Sequence, residues 1–184
     1  MPTQKALSLR ETADLLDQVE TQHGETLAEI AAAHKVLLVF LRHAGCTFCR
    51  EALSDIARDR AAIEQCGVRI VLVHMGDIDE FDKLLEKNHL SDVPHICDDS
   101  QVLYAAFGLK RGSAMQLFGP KVMVRGLKAG IIDGHGVGKP VADAAQMPGV
   151  FLLENGVIAR RFRHRSAADR PDYIRFCVKS EATT

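Results

Sequence analysis

Two hydrophobic periods alternate along this chain. Val36-Leu37-Leu38-Val39-Phe40-Leu41 is an unbroken apolar run, short enough for a strand and suited to a sheet covered on both faces. After Arg42-His43 and Ala44-Gly45 the spacing turns helical. Leu53, Ile56, Ala57 and Ile63 share one stripe, with Asp55, Arg58 and Arg60 away from it. Cys66-Gly67 closes a turn, and Val68 to Val73 predicts a second buried strand with Arg69 at its start and His74 at its end. Asp77 and Asp79 suit a helix start, and Phe81, Leu84 and Leu85 continue that helix to about Asn88 and His89. Strand and helix alternating at this length predict right-handed crossovers and a parallel core sheet.

Asp92 to Asp99 reads as a short extended piece holding Cys97 as a small buried residue. Ser100 follows as an N-cap, then Leu103, Ala106 and Phe107 as a stripe, with Gly108 at the C′ position. Two apolar runs flank Glu154-Asn155-Gly156, the strongest local signal for a hairpin. An antiparallel hairpin added to parallel strands makes the sheet mixed, and Pro148 stands at its mouth, where a missing N–H is tolerated. Arg160, Arg161, Arg163 and Arg165 mark the exposed face of a last, edge-guarding strand. Pro171 suits the first position of a terminal helix carrying Tyr173, Ile174, Phe176 and a buried Cys177. Before the first long strand, Ser8 with Glu11 and Thr26 with Glu29 have capping-box spacing. They predict an N-terminal helical extension over residues 1–35, laid on one domain spanning 36–184.

Composition adds few constraints. At 184 residues and a net charge of −1, neither nucleic acid nor an anionic membrane is expected as the main partner. No secretory segment or membrane span is evident, so the cytoplasm is the expected location. There, five cysteines read as free thiols plus a reversible pair rather than a disulfide framework.

That pair is Cys46 and Cys49, placed where strand and loop give way to helix. A helix N-terminus favours the thiolate, which is the nucleophile, and two intervening residues let the sulfurs meet, so a disulfide can form and reopen. Half a zinc site and plain packing are the competing readings. Cys66, Cys97 and Cys177 supply no second closely spaced pair, which a closed metal site usually needs. No metal or cofactor is therefore expected. A cation at Arg42 or His43 would lower a thiol pKa. His74, His95, His135 and His164 read as surface or capping residues. The glycine-rich, basic segment from Lys110 to Ala145 reads as a long crossover with a helix over Ser113 to Leu127. Gly134 to Lys139 misses the phosphate-loop spacing at Asp133 and Pro140, and Arg125 and Lys128 stand as candidates for holding an anion.

A strand leading into CxxC, with an X-Pro-X segment and an Asn-Gly hairpin late in the chain, resembles the thioredoxin fold. More closely, Phe40 to Glu51, Met147 to Leu152 and Phe162 to Tyr173 resemble the peroxiredoxin-like proteins of the alkyl hydroperoxide reductase and thiol-specific antioxidant superfamily. The nearest branch is the one that includes selenoprotein L and its CxxC relatives. The resemblance implies an α/β thioredoxin-like fold whose central mixed sheet is flanked by helices. It also implies a cis bond before Pro148, with Thr47, Met147 and Pro148 supporting the site.

Two departures matter. Peroxiredoxins carry Pro-x-x-x-Thr/Ser-x-x-Cys, whereas here Arg42 takes the proline position, Cys46 the Thr position and Cys49 the peroxidatic position. Thioredoxin logic instead makes Cys46 the attacking thiolate and Cys49 the resolving one, and we favour that assignment. The resemblance implies a thiol peroxidase or thiol-disulfide oxidoreductase with a peroxide or disulfide substrate. The expected partner is an external thiol reductant such as a thioredoxin or glutathione system, or a second copy of the chain in a homodimer. The alternative is a non-catalytic, redox-responsive binding protein.

Overall fold

The structure is a computed structural model describing residues 9–132, 143 and 145–178. In chain order its elements are α1 (Leu9–Gln18), α2 (Leu27–Ala33), β1 (Lys35–Phe40), α3 (Thr47–Gln65), β2 (Val68–His74), α4 (Ile78–Lys87), β3 (His95–Cys97), α5 (Val102–Ala106), α6 (Ala114–Phe118), α7 (Pro120–Leu127), a π-helical turn (Lys128–Ile132), β4 (Gly149–Glu154), β5 (Val157–Arg163) and α8 (Tyr173–Cys177). Five strands pair in the order β3-β2-β1-β4-β5. β1, β2 and β3 are parallel, while β4 and β5 run antiparallel. The sheet is mixed, as the hairpin signal predicts. Asn155 and Gly156 both take positive φ, 53° and 73°, the backbone that a two-residue hairpin turn demands.

β1 lies at the centre and is covered on both faces, which explains its unbroken apolar run. Val36, Leu38 and Phe40 face a cluster with Leu27, Ile30 and Tyr104. Leu37 and Val39 face Leu53, Ile56 and Phe81. Helices α1 and α2 add Leu16, Leu27 and Ile30 to the first cluster, and α2 starts with the expected Thr26–Glu29 capping box. The loop before α2 covers the β3 edge: Gln22 N–H donates to the His95 carbonyl, and the Gln22 amide oxygen accepts from His95 N–H at 2.7 Å.

Several expectations need correction. Asp98, rather than Ser100, caps α5, because its carboxylate accepts from the N–H groups of Val102, Leu103 and Tyr104 while the Ser100 hydroxyl donates to it. The helix expected over Ser113 to Leu127 is two helices. Pro120 has no N–H to continue α6 and opens α7 at its first position. Asp172 caps α8, so Pro171 precedes the cap instead of entering the helix. Cys97 is exposed. The Met147–Pro148 peptide is trans, since no cis bond occurs among the described residues. Hydrogen bonds on either side suit that chain path: Met147 N–H donates to Lys110 and the Pro148 carbonyl accepts from His164 N–H. Ser8, Gly134 to Lys139 and His135 lie outside the described residues.

Candidate active site

The dithiol sits where β1 leaves the sheet. Leu41 N–H still donates to Val73, and the Arg42 carbonyl still accepts from Met75 N–H at 2.8 Å, so Arg42 is held as an extension of the strand. The chain then turns, with Cys46 N–H donating to the His43 carbonyl and Arg50 Nε donating to the Ala44 carbonyl at 2.8 Å. Cys46 is the N-cap of α3, just outside the helix rather than in its first turn. Its carbonyl accepts from Cys49 and Arg50 N–H.

Arg42 serves both sulfurs. Its Nη2 donates to Cys46 Sγ at 2.9 Å, and its backbone N–H donates to Cys49 Sγ at 3.1 Å. Both cysteines are free thiols and both are buried, at 6% and 3% exposure, so accessibility does not single out Cys46 as the attacking sulfur. A hydrogen bond from the Cys49 thiol and the nearby Arg42 charge, opposed by burial, pull the Cys46 pKa down to about 6. Burial, followed by that same interaction with Cys46, pushes the Cys49 thiol well up. The pair is thus polarised into a thiolate at Cys46 and a thiol at Cys49.

The other supporting residues fall in different places. His43 is buried, and burial together with Arg42 and Arg50 lowers its pKa to about 4. It is neutral near pH 7, so Arg42 alone supplies the cation expected from the two. Thr47 is the half-buried first residue of α3. Pro148 lines a cavity of about 20 Å³ beside the sulfurs, together with Arg42, Cys46, Cys49 and His164. That volume holds little more than one water-sized molecule. Met147 does not line it. Met147 packs under α6 with Leu117 and Val122, close enough that a Cβ on Gly112 would stand 2.6 Å from its sulfur.

An ionic clamp on α3 escaped the hydrophobic pattern. Asp55, expected on the solvent side, is 3% exposed and Glu51 is 4% exposed. Glu51 accepts from Arg125 Nη2 at 2.7 Å and Arg170 Nη1 at 2.9 Å. Asp55 accepts from Arg170 and from Arg58 Nη1. The dithiol helix is thereby tied to α7 and to the segment before α8. The signal available in sequence was two acids four residues apart on one helix face. Arg125, a candidate for holding an external anion, instead holds this carboxylate; Lys128 lies on the π-helical turn. His74 and His95 are buried core residues, with His74 stacked on Phe81 at 3.7 Å and 3.1 Å from His95 between ring nitrogens. His164 is half-buried in the cavity wall.

Among the described residues, no group of three or more His, Cys, Asp and Glu side chains is placed to hold a metal ion. No helix among them is long and apolar enough to cross a membrane.

Comparison with known proteins follows the same lines. The sequence model described as AhpC/TSA antioxidant enzyme matches residues 55–167, well over half the chain, and the match begins just after the dithiol. The thioredoxin-like protein AAED1, chloroplastic, of Arabidopsis thaliana is 25% identical over 122 residues, which is 64% of this chain and 48% of that protein. The chain thus spans about half the length of this curated relative. Peroxiredoxin Q of Xanthomonas campestris is similar in structure, with TM-score 0.61, 20% identity and 90% of both chains covered. A secreted disulfide oxidoreductase of Mycobacterium tuberculosis has TM-score 0.53 and 14% identity, covering 86% of this chain and 91% of that one. These two likenesses establish a thioredoxin-like fold, a mixed sheet flanked by helices.

Proposed function

The chain belongs to the AhpC/TSA antioxidant enzyme family, and on that premise we propose that it is a thiol peroxidase working through a reversible Cys46–Cys49 disulfide. The observation that carries this reading is the Arg42 guanidinium 2.9 Å from Cys46 Sγ, which favours a thiolate at that sulfur, in the wall of a small cavity that Cys49 also lines. The Cys46 thiolate attacks one peroxide oxygen; an S–O bond forms and the O–O bond breaks. Sulfur loses two electrons to the peroxide, and the departing oxygen leaves as hydroxide or alkoxide and takes a proton from solvent. The product is a sulfenic acid at Cys46. The Cys49 thiol then attacks that sulfur, expelling water and closing the disulfide before further oxidation. An external thiol reductant restores the dithiol.

Peroxide is favoured over a protein disulfide because both sulfurs are buried and the cavity beside them, at about 20 Å³, suits the small –OOH end of a substrate. The redox unit is residues 36–184, carrying 1–35 as an extension, and it works in a reducing compartment such as the cytoplasm. The test is peroxide consumption supported by a thiol reductant, read beside the intact mass of the oxidised protein. Turnover with loss of two hydrogens, abolished in Cys46→Ser, is expected. Wild-type turnover by Cys46→Ser would exclude the mechanism.

A further inference from the structure

The cavity at the sulfurs shares one wall with a second, larger space. His164 lines both. The second space is a surface groove of about 310 Å³, lined by Gly108, Leu109, Lys110, Arg111, Gln116, Met147 and Arg163 besides His164. Its size falls at the low end of small-ligand sites. The lining holds three cations and no carboxylate. Lys110 and Arg111 are exposed, and Arg111 reaches Asp143 outside the lining, at 2.6 Å. The floor is shaped for Arg163: its Nη2 donates to the Phe107 carbonyl at 2.9 Å and lies against Gly108, where a Cβ would stand 2.6 Å away. Gly108 also has φ +67°, so side chains are disfavoured there twice over.

We propose that this groove binds the thiol reductant, and that the reductant is a small anionic thiol of the glutathione type. The inference rests on the Cys46–Cys49 disulfide proposed above and names the reductant that reopens it. A buried disulfide is poorly placed for a protein dithiol but open to a small molecule seated one side chain away. Its carboxylates meet Lys110, Arg111 and Arg163 while its sulfur turns past His164 towards the pair. The chemistry balances with two such thiols. The first, as thiolate, attacks one sulfur of the disulfide; a mixed disulfide forms and the other cysteine leaves as thiolate, with Cys46 the better leaving group because its pKa is the lower. The second thiolate attacks the mixed disulfide, releasing the oxidised reductant and the remaining cysteine thiolate. Two electrons pass from two thiols to the protein disulfide, and of the two protons released one returns to Cys49 and one goes to solvent.

The test uses full-length protein oxidised beforehand with diamide, so that it does not depend on peroxidase activity. Reduction rates are compared for glutathione, neutral 2-mercaptoethanol and cationic cysteamine, in wild type and in the Lys110→Glu/Arg111→Glu variant. Taking variant-to-wild-type ratios cancels the intrinsic reactivity of each thiol. The variant is expected to lose about tenfold in rate with glutathione relative to 2-mercaptoethanol and to gain with cysteamine, and added salt is expected to shrink both effects. The same ratio for all three thiols would overturn the assignment. So would a thioredoxin that reduces wild type far faster than glutathione and is indifferent to the two charges, which would place a protein reductant elsewhere. If diamide closes no Cys46–Cys49 disulfide in the folded protein, the peroxidase reading falls, and this site with it.

Discussion

Replacing Arg42 with Met removes the guanidinium beside Cys46 while keeping an unbranched stem, and the consequence can be worked from the geometry. The charge lies 2.9 Å from Cys46 Sγ, and an opposite charge at such range lowers an acidic group's pKa by roughly 1–3 units. Cys46, held at about 6 in the intact protein, is therefore expected to titrate at roughly 7–9 in Arg42→Met. A two-unit rise cuts the thiolate share at pH 7 from about nine-tenths to about one-tenth. A more basic thiolate is also the better nucleophile, and with a Brønsted slope of about 0.4–0.5 two units return roughly six- to tenfold. The two effects nearly cancel, so a rate at one pH would mislead. The decisive assay is the pH profile of iodoacetamide alkylation, read at Cys46 by peptide mass spectrometry. Its midpoint should move upward by one unit or more. A stability measurement gives an independent sign. The folded pKa lies below the reference value of 9.0, so the stabilisation is complete above that value and lost as pH falls through about 6. Unfolding free energy should rise across this window in wild type and rise less in Arg42→Met. A midpoint unmoved within a few tenths of a unit would refute the assignment of Arg42 as the activating cation.

Other consequences follow from the same geometry. Arg170→Ala strips one partner from Glu51 and one from Asp55, and leaving these buried carboxylates under-compensated should cost about 2–4 kcal/mol in urea unfolding. Arg58→Ala removes a guanidinium that is 63% exposed and should cost under about 1 kcal/mol; equal losses would mean that burial does not set the scale. His43, His74 and His164 all have pKa values lowered from 6.5 to about 4, chiefly by burial. They stay neutral in the folded state while the unfolded chain takes up protons, so stability should fall as pH drops from 6.5 towards 4. His74→Leu should make that fall shallower in pH-dependent thermal unfolding. Gly119→Ala would place a Cβ 2.4 Å from the Met115 carbonyl oxygen, a backbone contact that cannot swing aside, and should cost about 1–3 kcal/mol.

Much of the fold was legible because its signals are local. The buried strands, the Thr26–Glu29 capping box and the Asn155-Gly156 turn each depend on a few adjacent residues, and each stands where the pattern put it. The position of the dithiol at the start of a helix was legible for the same reason, as was the basic character of its neighbour Arg42. What failed to show depends on distant partners. Asp55 looked solvent-facing because nothing near it in sequence reveals Arg170, 115 residues on. His43 looked like a cation because burial, which removes its charge, is a property of the assembled core. His164 carried no signal at all, since it becomes part of the cavity wall when the end of β5 is laid beside Pro148. The split between α6 and α7 is a local matter, set by Gly119-Pro120, because proline has no N–H to carry a helix through.

The central claim is that Cys46 is the sulfur that meets peroxide. Treating the Cys46→Ser and Cys49→Ser variants with stoichiometric hydrogen peroxide, trapping sulfenic acid with dimedone and locating it by peptide mass spectrometry tests this directly. The adduct is expected on Cys46 in Cys49→Ser, with Cys49 left unmodified in Cys46→Ser. Prompt trapping on Cys49 in Cys46→Ser, with none on Cys46 in Cys49→Ser, would contradict it.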